Sequence, residues 1–280
     1  MSRDAKRLLI AGGGTGGHVF PALAVAREWL RREGAGAPEG SSEPASVSGR
    51  DSTPQGERGV VFVGTKHGIE ARLVPQAGLP FEPIRVAGLK GIGGGKLLRN
   101  AAMLPVGLWD SERILRRRRF NAALGVGGYA SGPMILLALL HGIPSVIFEP
   151  NVEPGFTNRV LARLATRVAV AHSQTASQLG RRAVVTGCPV RQEFFAVPPK
   201  PHGRPFTILI TGGSQGAAPI NRAVLGALGQ FAARKNQLFV VHQTGNVTIM
   251  RFVRRMRSTK YTRRWWPLSR IWRKGLPRQT

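Results

Sequence analysis

Cysteine occurs once in these 280 residues, at Cys188, so neither a disulfide framework nor a cysteine-built zinc site is available. That count suits a reducing compartment. No run is long and apolar enough to span a bilayer, and residues 1–11 are too short and polar for a secretory signal. The sequence therefore reads as cytoplasmic. Acidic residues are also scarce: after Glu193 there are none. Of the net charge of +27, residues 1–193 carry +11, residues 194–245 carry +5 and residues 246–280 carry +11. Folded surfaces normally mix both signs, so the basicity is partly a property of the last segment.

What is present is a repeated alternation of short apolar runs and helical stretches. Arg7–Ala11, Val60–Val63, Ala122–Val126, Ser145–Phe148 and Arg167–Val170 read as buried strands. Helices are expected over Pro21–Arg32, Gly132–Leu140 and Phe156–Ala165, with Pro21 suited to a first turn. This rhythm predicts an α/β fold, a parallel sheet covered by helices on both faces. Residues 34–59 hold one branched aliphatic residue, Val47, and read as a flexible surface insertion in a first domain of residues 1–196. Residues 197–205 form a Pro-rich connector. A second strand–glycine loop–helix unit then opens at Phe206–Ile210 and continues through Asn221–Arg234 to Leu238–His242. Residues 206–245 thus look like the start of a second domain. Residues 246–280 carry three of the five tryptophans and no useful periodicity, and read as a disordered basic tail or as sequence in another frame.

Three glycine clusters follow strands and open helices: Gly12–Gly17, Gly125–Pro133 and Thr211–Gly216. Glycine lets a backbone approach a ligand closely, and helix N-termini offer unpaired N–H groups to phosphate. Plain tight turns are the competing reading. Gly12, Gly14 and Gly17 satisfy the dinucleotide fingerprint, but the second strand ends in Gly64-Thr65-Lys66 with no acid for a ribose. His18, in the first helical turn, is a candidate general base for a sugar hydroxyl; a packing or capping histidine is the alternative. Glu149-Pro150-Asn151 should face the same cleft, and Arg191 could hold a polar ligand group or a surface acid. Leu104–Trp109 beside Arg113 and Arg116–Arg119 could meet an anionic bilayer, or be a packed helix with a solvated basic end.

Together, Gly13–Pro21, Gly125–Pro133, Glu149–Asn158, Gly187–Arg191 and Gly212–Asn221 resemble the MurG family of bacterial transferases, which add N-acetylglucosamine to undecaprenyl-pyrophosphoryl-N-acetylmuramyl pentapeptide in peptidoglycan synthesis. The likeness runs from about residue 7 to residue 245. It implies two facing Rossmann-like domains of the GT-B glycosyltransferase architecture, the second incomplete here. It further implies inversion at the anomeric carbon, no metal and no cofactor. Contacts to UDP-N-acetylglucosamine would fall on Thr15, Gly16, Gly17, Asn151, Arg191 and Ser214, with His18 catalytic. The lipid-linked acceptor would be met at the inner face of the bacterial membrane by a peripheral protein, with no nucleic acid as partner. The family's ribose-binding glutamate and glutamine pair have no counterpart here, so this chain is expected to lack useful transferase activity. Two other classes remain open, a dinucleotide-binding oxidoreductase and a basic nucleic-acid-binding protein.

Overall fold

The computed structural model describes residues 6–34, 59–87, 100, 102–198, 203, 205–213, 216–234 and 236–245. Most of the expected insertion, the basic tail, part of the connector and Ser214 lie outside the described residues. The chain divides into two compact units, Met1–Val197 and Pro198–Thr280.

The first unit is a seven-stranded parallel sheet. Its strands are β1 (Leu8–Ala11), β2 (Val60–Thr65), β3 (Phe81–Ile84), β4 (Ala122–Gly125), β5 (Ser145–Glu149), β6 (Arg167–Val170) and β7 (Ala183–Val185), in the order β3-β2-β1-β4-β5-β6-β7. Successive side chains of a strand point to opposite faces, so a strand buried on both sides feeds two cores. In β1, Leu8 and Ile10 join one apolar cluster while Leu9 and Ala11 join the other. Helices α1 (Gly16–Gly34) and α2 (Glu70–Gln76) cover the first face, contributing Val19, Ala22, Leu23, Ala26 and Val74. The second face is covered by α3 (Leu104–Arg117), α4 (Ser131–Leu140) and α5 (Phe156–Leu161), with Ile114, Leu115, Met134, Ile135, Ala138 and Leu161. A further helix, α6 (Ser173–Leu179), precedes β7.

Several boundaries differ from the sequence expectation. Helix α1 begins at Gly16, so Pro21 lies inside it. The amides of His18 and Val19 both reach back to Thr15 O, which starts the helix ahead of the proline. α5 ends at Leu161, and the stretch after it continues only as turns. β3 escaped the sequence reading because Pro83 interrupts its pattern; at the sheet edge a missing N–H is tolerated.

The β1/β4 boundary is the topological switch point. β1 leads through α1 to β2 on one side, whereas β4 lies on the other. In such sheets ligands sit beyond the carboxyl ends of the strands at this place.

The second unit pairs β8 (Phe206–Thr211) in parallel with β9 (Leu238–Gln243). Between them lie α7 (Ala218–Gly226) and α8 (Leu228–Ala233), two helices where one had been expected, separated at Ala227. Val224 and Leu228 form the buried centre of this unit.

Candidate functional site

The site of the first unit is built where the loops after β1 and β4 meet backbone to backbone. The amide of Gly13 donates to Gly127 O at 3.1 Å, and that of Gly12 to Val63 O at 3.0 Å. Gly128 has φ +82°, and a Cβ there would lie 2.5 Å from Gly13 O. Only glycine permits this approach.

The glycine loop carries its own internal anion. Glu70, fully buried in the first turn of α2, accepts from Gly14 N at 2.7 Å, Thr65 N at 2.9 Å and Thr65 Oγ1 at 2.8 Å. A buried carboxylate requires such partners. This is the acid that the dinucleotide fingerprint lacked by sequence position. It lies on α2 rather than at the strand end, and it is turned into the loop instead of outward to a ribose. The amides of Gly12, Gly13 and Gly14 are thus taken internally. A ligand anion at this loop would meet Thr15, Gly16 and Gly17, the exposed or half-exposed start of α1.

His18 is half-buried above this loop. Its Nδ1 lies 3.2 Å from Gly13 O and 3.2 Å from Thr15 Oγ1. A carbonyl oxygen only accepts, so Nδ1 carries the proton and donates to Gly13 O, with the threonine hydroxyl as a second acceptor. The neutral ring then presents Nε2 as an acceptor. That atom stands 3.2 Å from where a Cβ on Gly127 would be, and Asn158 Nδ2 stands 3.4 Å from the same point. Gly127 therefore leaves open the space between the imidazole and Asn158.

Glu149, 1% exposed, ends β5 with both oxygens committed. Oε1 accepts from Asn151 N and Asn151 Nδ2, at 2.9 and 2.8 Å. Oε2 accepts from Gly155 N and Asn158 Nδ2, at 2.9 and 3.0 Å. The sequence reading had Glu149 facing the cleft, yet its carboxylate holds its own loop. The loop carries four donors within ten residues, and a buried acid at the strand end is their nearest acceptor. Asn151 is exposed, with its backbone carbonyl anchored by Thr175 Oγ1 at 2.9 Å. One of its Nδ2 protons goes to Glu149, which leaves Oδ1 and the second Nδ2 proton for a ligand to meet.

Arg191 comes to the same helix start. Its guanidinium lies 5.0 Å from the Phe20 ring and 4.9 Å from the Phe194 ring. Phe20 follows His18 by two residues on α1, so the cation–π contacts place Arg191 along the first turns of that helix. The structure thus gathers Thr15, Gly16, Gly17, His18 and Arg191 around one helix N-terminus, with Asn151 on the β5 loop of the same sheet edge. Ser214 lies outside the described residues. Glu70 and Asn158 were missed as site residues. Glycines at 13, 64 and 68, each of whose added Cβ would strike the Glu70 side chain, were the available signal for the first.

On the far side of α3, Gly107, Ser111, Ile114 and Leu115 are buried while Trp109 is 59% exposed. Arg113 lies 5.8 Å from the Trp109 ring. Asp110, the next residue, pins α3 to the end of β3 through Arg85 N, Nε and a terminal guanidinium nitrogen. The Arg85 guanidinium holds the Asp110 carboxyl below the usual carboxylate range. The packed-helix reading of this stretch is met: one face packs on the sheet, and the other presents tryptophan and arginine. No helix among the described residues is long and apolar enough to cross a membrane.

Residues 55–170 match the glycosyltransferase family 28 N-terminal domain, and residues 207–263 match the glycosyltransferase family 28 C-terminal domain. The second match runs past Gly245, where the sequence reading ended the likeness, into the basic stretch. The chain is 42% identical over 246 residues to the UDP-N-acetylglucosamine--N-acetylmuramyl-(pentapeptide) pyrophosphoryl-undecaprenol N-acetylglucosamine transferase of Solibacter usitatus, covering 88% of this chain and 61% of that protein. With the transferase of the same name from Anaeromyxobacter sp. strain Fw109-5 it shares 44% identity over 243 residues, covering 85% of this chain and 58% of the relative. It thus spans about three fifths of these relatives' lengths. The crystal structure of MurG from Acinetobacter baumannii superposes with a TM-score of 0.64 at 27% identity, covering 94% of this chain and 66% of that one. A UDP-N-acetylglucosamine 2-epimerase from Listeria monocytogenes, at 11% identity and a TM-score of 0.57, shares the fold alone. With two successive domains matched in order and these glycine loops in place, the chain belongs to glycosyltransferase family 28.

Proposed function

We propose that this chain carries the acceptor-side domain and the opening of the donor-side domain of a transferase that moves N-acetylglucosamine from UDP-N-acetylglucosamine to a lipid-linked muramyl pentapeptide. The observation that carries this reading is His18. Its Nδ1–H is tied to Gly13 O, and its Nε2 faces the space left by Gly127 at the switch point. In the proposed reaction the muramyl hydroxyl attacks the anomeric carbon with inversion as the bond to UDP breaks. Nε2 of His18 takes the hydroxyl proton, and the electron pair of the broken bond leaves with UDP. Thr15, Gly16, Gly17 and Arg191 lie where negative charge on the departing diphosphate would be stabilised. Asn151 and Ser214 complete the proposed donor contacts. An oxidoreductase reading finds no support, because Glu70 is enclosed by loop amides and offers nothing to a ribose.

The test is transfer of labelled N-acetylglucosamine onto a muramyl pentapeptide lipid. It is run with this chain and with a chimera whose residues 207–280 are replaced by the complete C-terminal domain of the Anaeromyxobacter relative. Turnover by the chimera is expected. Absence of both turnover and UDP-N-acetylglucosamine binding in a folded chimera would refute the assignment.

The outward face of α3 supports peripheral attachment to the inner face of the membrane, with Trp109 at the headgroup level and Arg113, Arg116 and Arg117 toward anionic lipid. Replacing Trp109 and Arg113 together by alanine is expected to weaken binding to phosphatidylglycerol-containing vesicles about tenfold. Cosedimentation that is indifferent to the double substitution would exclude this face.

A further inference from the structure

Glu70 and His18 lie on different helices and do not touch, yet a single peptide group links them. The Gly13–Gly14 peptide gives its N–H, on Gly14, to Glu70 Oε2 at 2.7 Å. Its C=O, on Gly13, accepts from His18 Nδ1 at 3.2 Å. We propose that Glu70 is a positioning residue that fixes the tautomer of His18 through this peptide, in the manner of a carboxylate–histidine pair with an amide inserted between the partners.

The physical basis is amide resonance. A carboxylate accepting from the N–H draws that proton toward itself and shifts electron density along the peptide to the carbonyl oxygen. The oxygen becomes a better acceptor, because hydrogen bonds in a chain strengthen one another and the charged one is the strongest. The imidazole proton is thereby drawn to Nδ1, and the lone pair is left on Nε2. When Nε2 takes a proton, the positive ring faces a carbonyl backed by a negative charge.

The surroundings of Glu70 are shaped for this task rather than for a ligand. Both of its oxygens are committed, Oε1 to Thr65 N and Thr65 Oγ1 and Oε2 to Gly14 N. Glycines from three segments, Gly13, Gly64 and Gly68, clear the volume that its side chain fills. Gly13 meets two demands at once: its bare α-carbon makes way for the carboxylate, and its carbonyl receives the imidazole. Its N–H, which belongs to the preceding peptide group, goes to Gly127 O at 3.1 Å and anchors the loop on the N-terminal side of the linking amide. The linking amide is therefore held at both its N–H and its C=O, next to an anchored neighbour, and has little freedom to reorient.

The inference rests on His18 as the base of the proposed reaction, but its test needs no turnover. The ¹⁵N-labelled 280-residue chain is observed by long-range ¹H–¹⁵N correlation of the histidine rings, with His18 assigned by the loss of its signals in His18→Gln. The neutral ring is expected in the Nδ1–H form. In Glu70→Gln the Nδ1–H fraction is expected to fall about threefold, because the neutral amide polarises the peptide less. An unchanged tautomer in folded Glu70→Gln, or an Nε2–H ring in the unsubstituted chain, overturns the proposal. Should Glu70→Gln not fold, the unsubstituted chain still decides. In the ¹³C,¹⁵N-labelled chain, couplings across the hydrogen bonds, from Gly14 ¹⁵N to the Glu70 carboxyl carbon and from His18 Nδ1 to the Gly13 carbonyl carbon, are expected, and the lack of either overturns it. The two readings fail separately. A tautomer indifferent to Glu70 removes this inference and leaves His18 as a possible base. Transfer indifferent to His18→Ala removes the base and leaves the peptide link standing.

Discussion

His18→Ala is expected to lower N-acetylglucosamine transfer by about 10²–10⁴-fold, the range that a positioned general base contributes. The loss should fall on kcat. The proposed donor contacts lie on Thr15, Gly16, Gly17 and Arg191, and the imidazole is turned toward the space over Gly127, where the proposed reaction would put the acceptor hydroxyl. UDP-N-acetylglucosamine affinity, read by calorimetry, should therefore change little. The comparison belongs in the transfer-competent chimera, with the unsubstituted chimera alongside. His18→Gln is the informative companion: it keeps a polar side chain above the loop but has no basic nitrogen, so it should be nearly as slow as His18→Ala. A loss below about tenfold in both variants would reduce His18 to a capping or packing residue, because a general base is worth more than that.

The second large effect is on stability. Glu149→Ala is expected to cost the first unit about 3–5 kcal/mol, because it strips the acceptor from Asn151 N, Asn151 Nδ2 and Gly155 N and halves the partners of Asn158 Nδ2. For a unit of this size that is a fall of roughly 10 °C in Tm. Glu149→Gln should lie between, since one of its two positions becomes a donor facing donors. Asn151 and α5 would lose their anchor first, so protection of the Gly155 amide against hydrogen exchange should drop before that of β1 or β2. A cost below about 1 kcal/mol in urea titration would mean that water satisfies these donors as well as the carboxylate does.

How far the sequence revealed all this depends on the range of the interactions involved. The central strands were legible because burial on both faces demands unbroken apolar runs such as Val60–Val63. The edge strand β3 was not, because Pro83 sits within it. The glycine loops were legible as close-approach turns, and His18 as a side chain at a helix start. What the residues next to them would do was not. Glu70 was passed over because the search for an acid stopped at the end of β2, whereas the carboxylate reaches the loop from the helix beyond. Glu149 was read as turning its polar group into the cleft, and only the fold reveals that its own loop supplies the donors for that carboxylate. Phe194 lies three residues from Arg191, but the contact of Arg191 with Phe20 joins residues far apart in sequence, and no local pattern encodes it. The division of α7 from α8 at Ala227 falls between Gly226 and Gly229, glycines that the sequence reading carried through as one helix.

The seam between the β1 and β4 loops also bears on attempts to retune this rim by laboratory evolution. Gly12 and Gly128 each press against main chain of the opposite loop, so a methyl group at either meets backbone that cannot be pushed aside. Libraries randomising these two codons should return almost only the parental residue among soluble clones. Tyr129, more than half exposed at the next position, has open solvent to move into and should admit many substitutes. Side-chain variety at this rim is thus more readily obtained one step along the chain from the seam than at the seam itself.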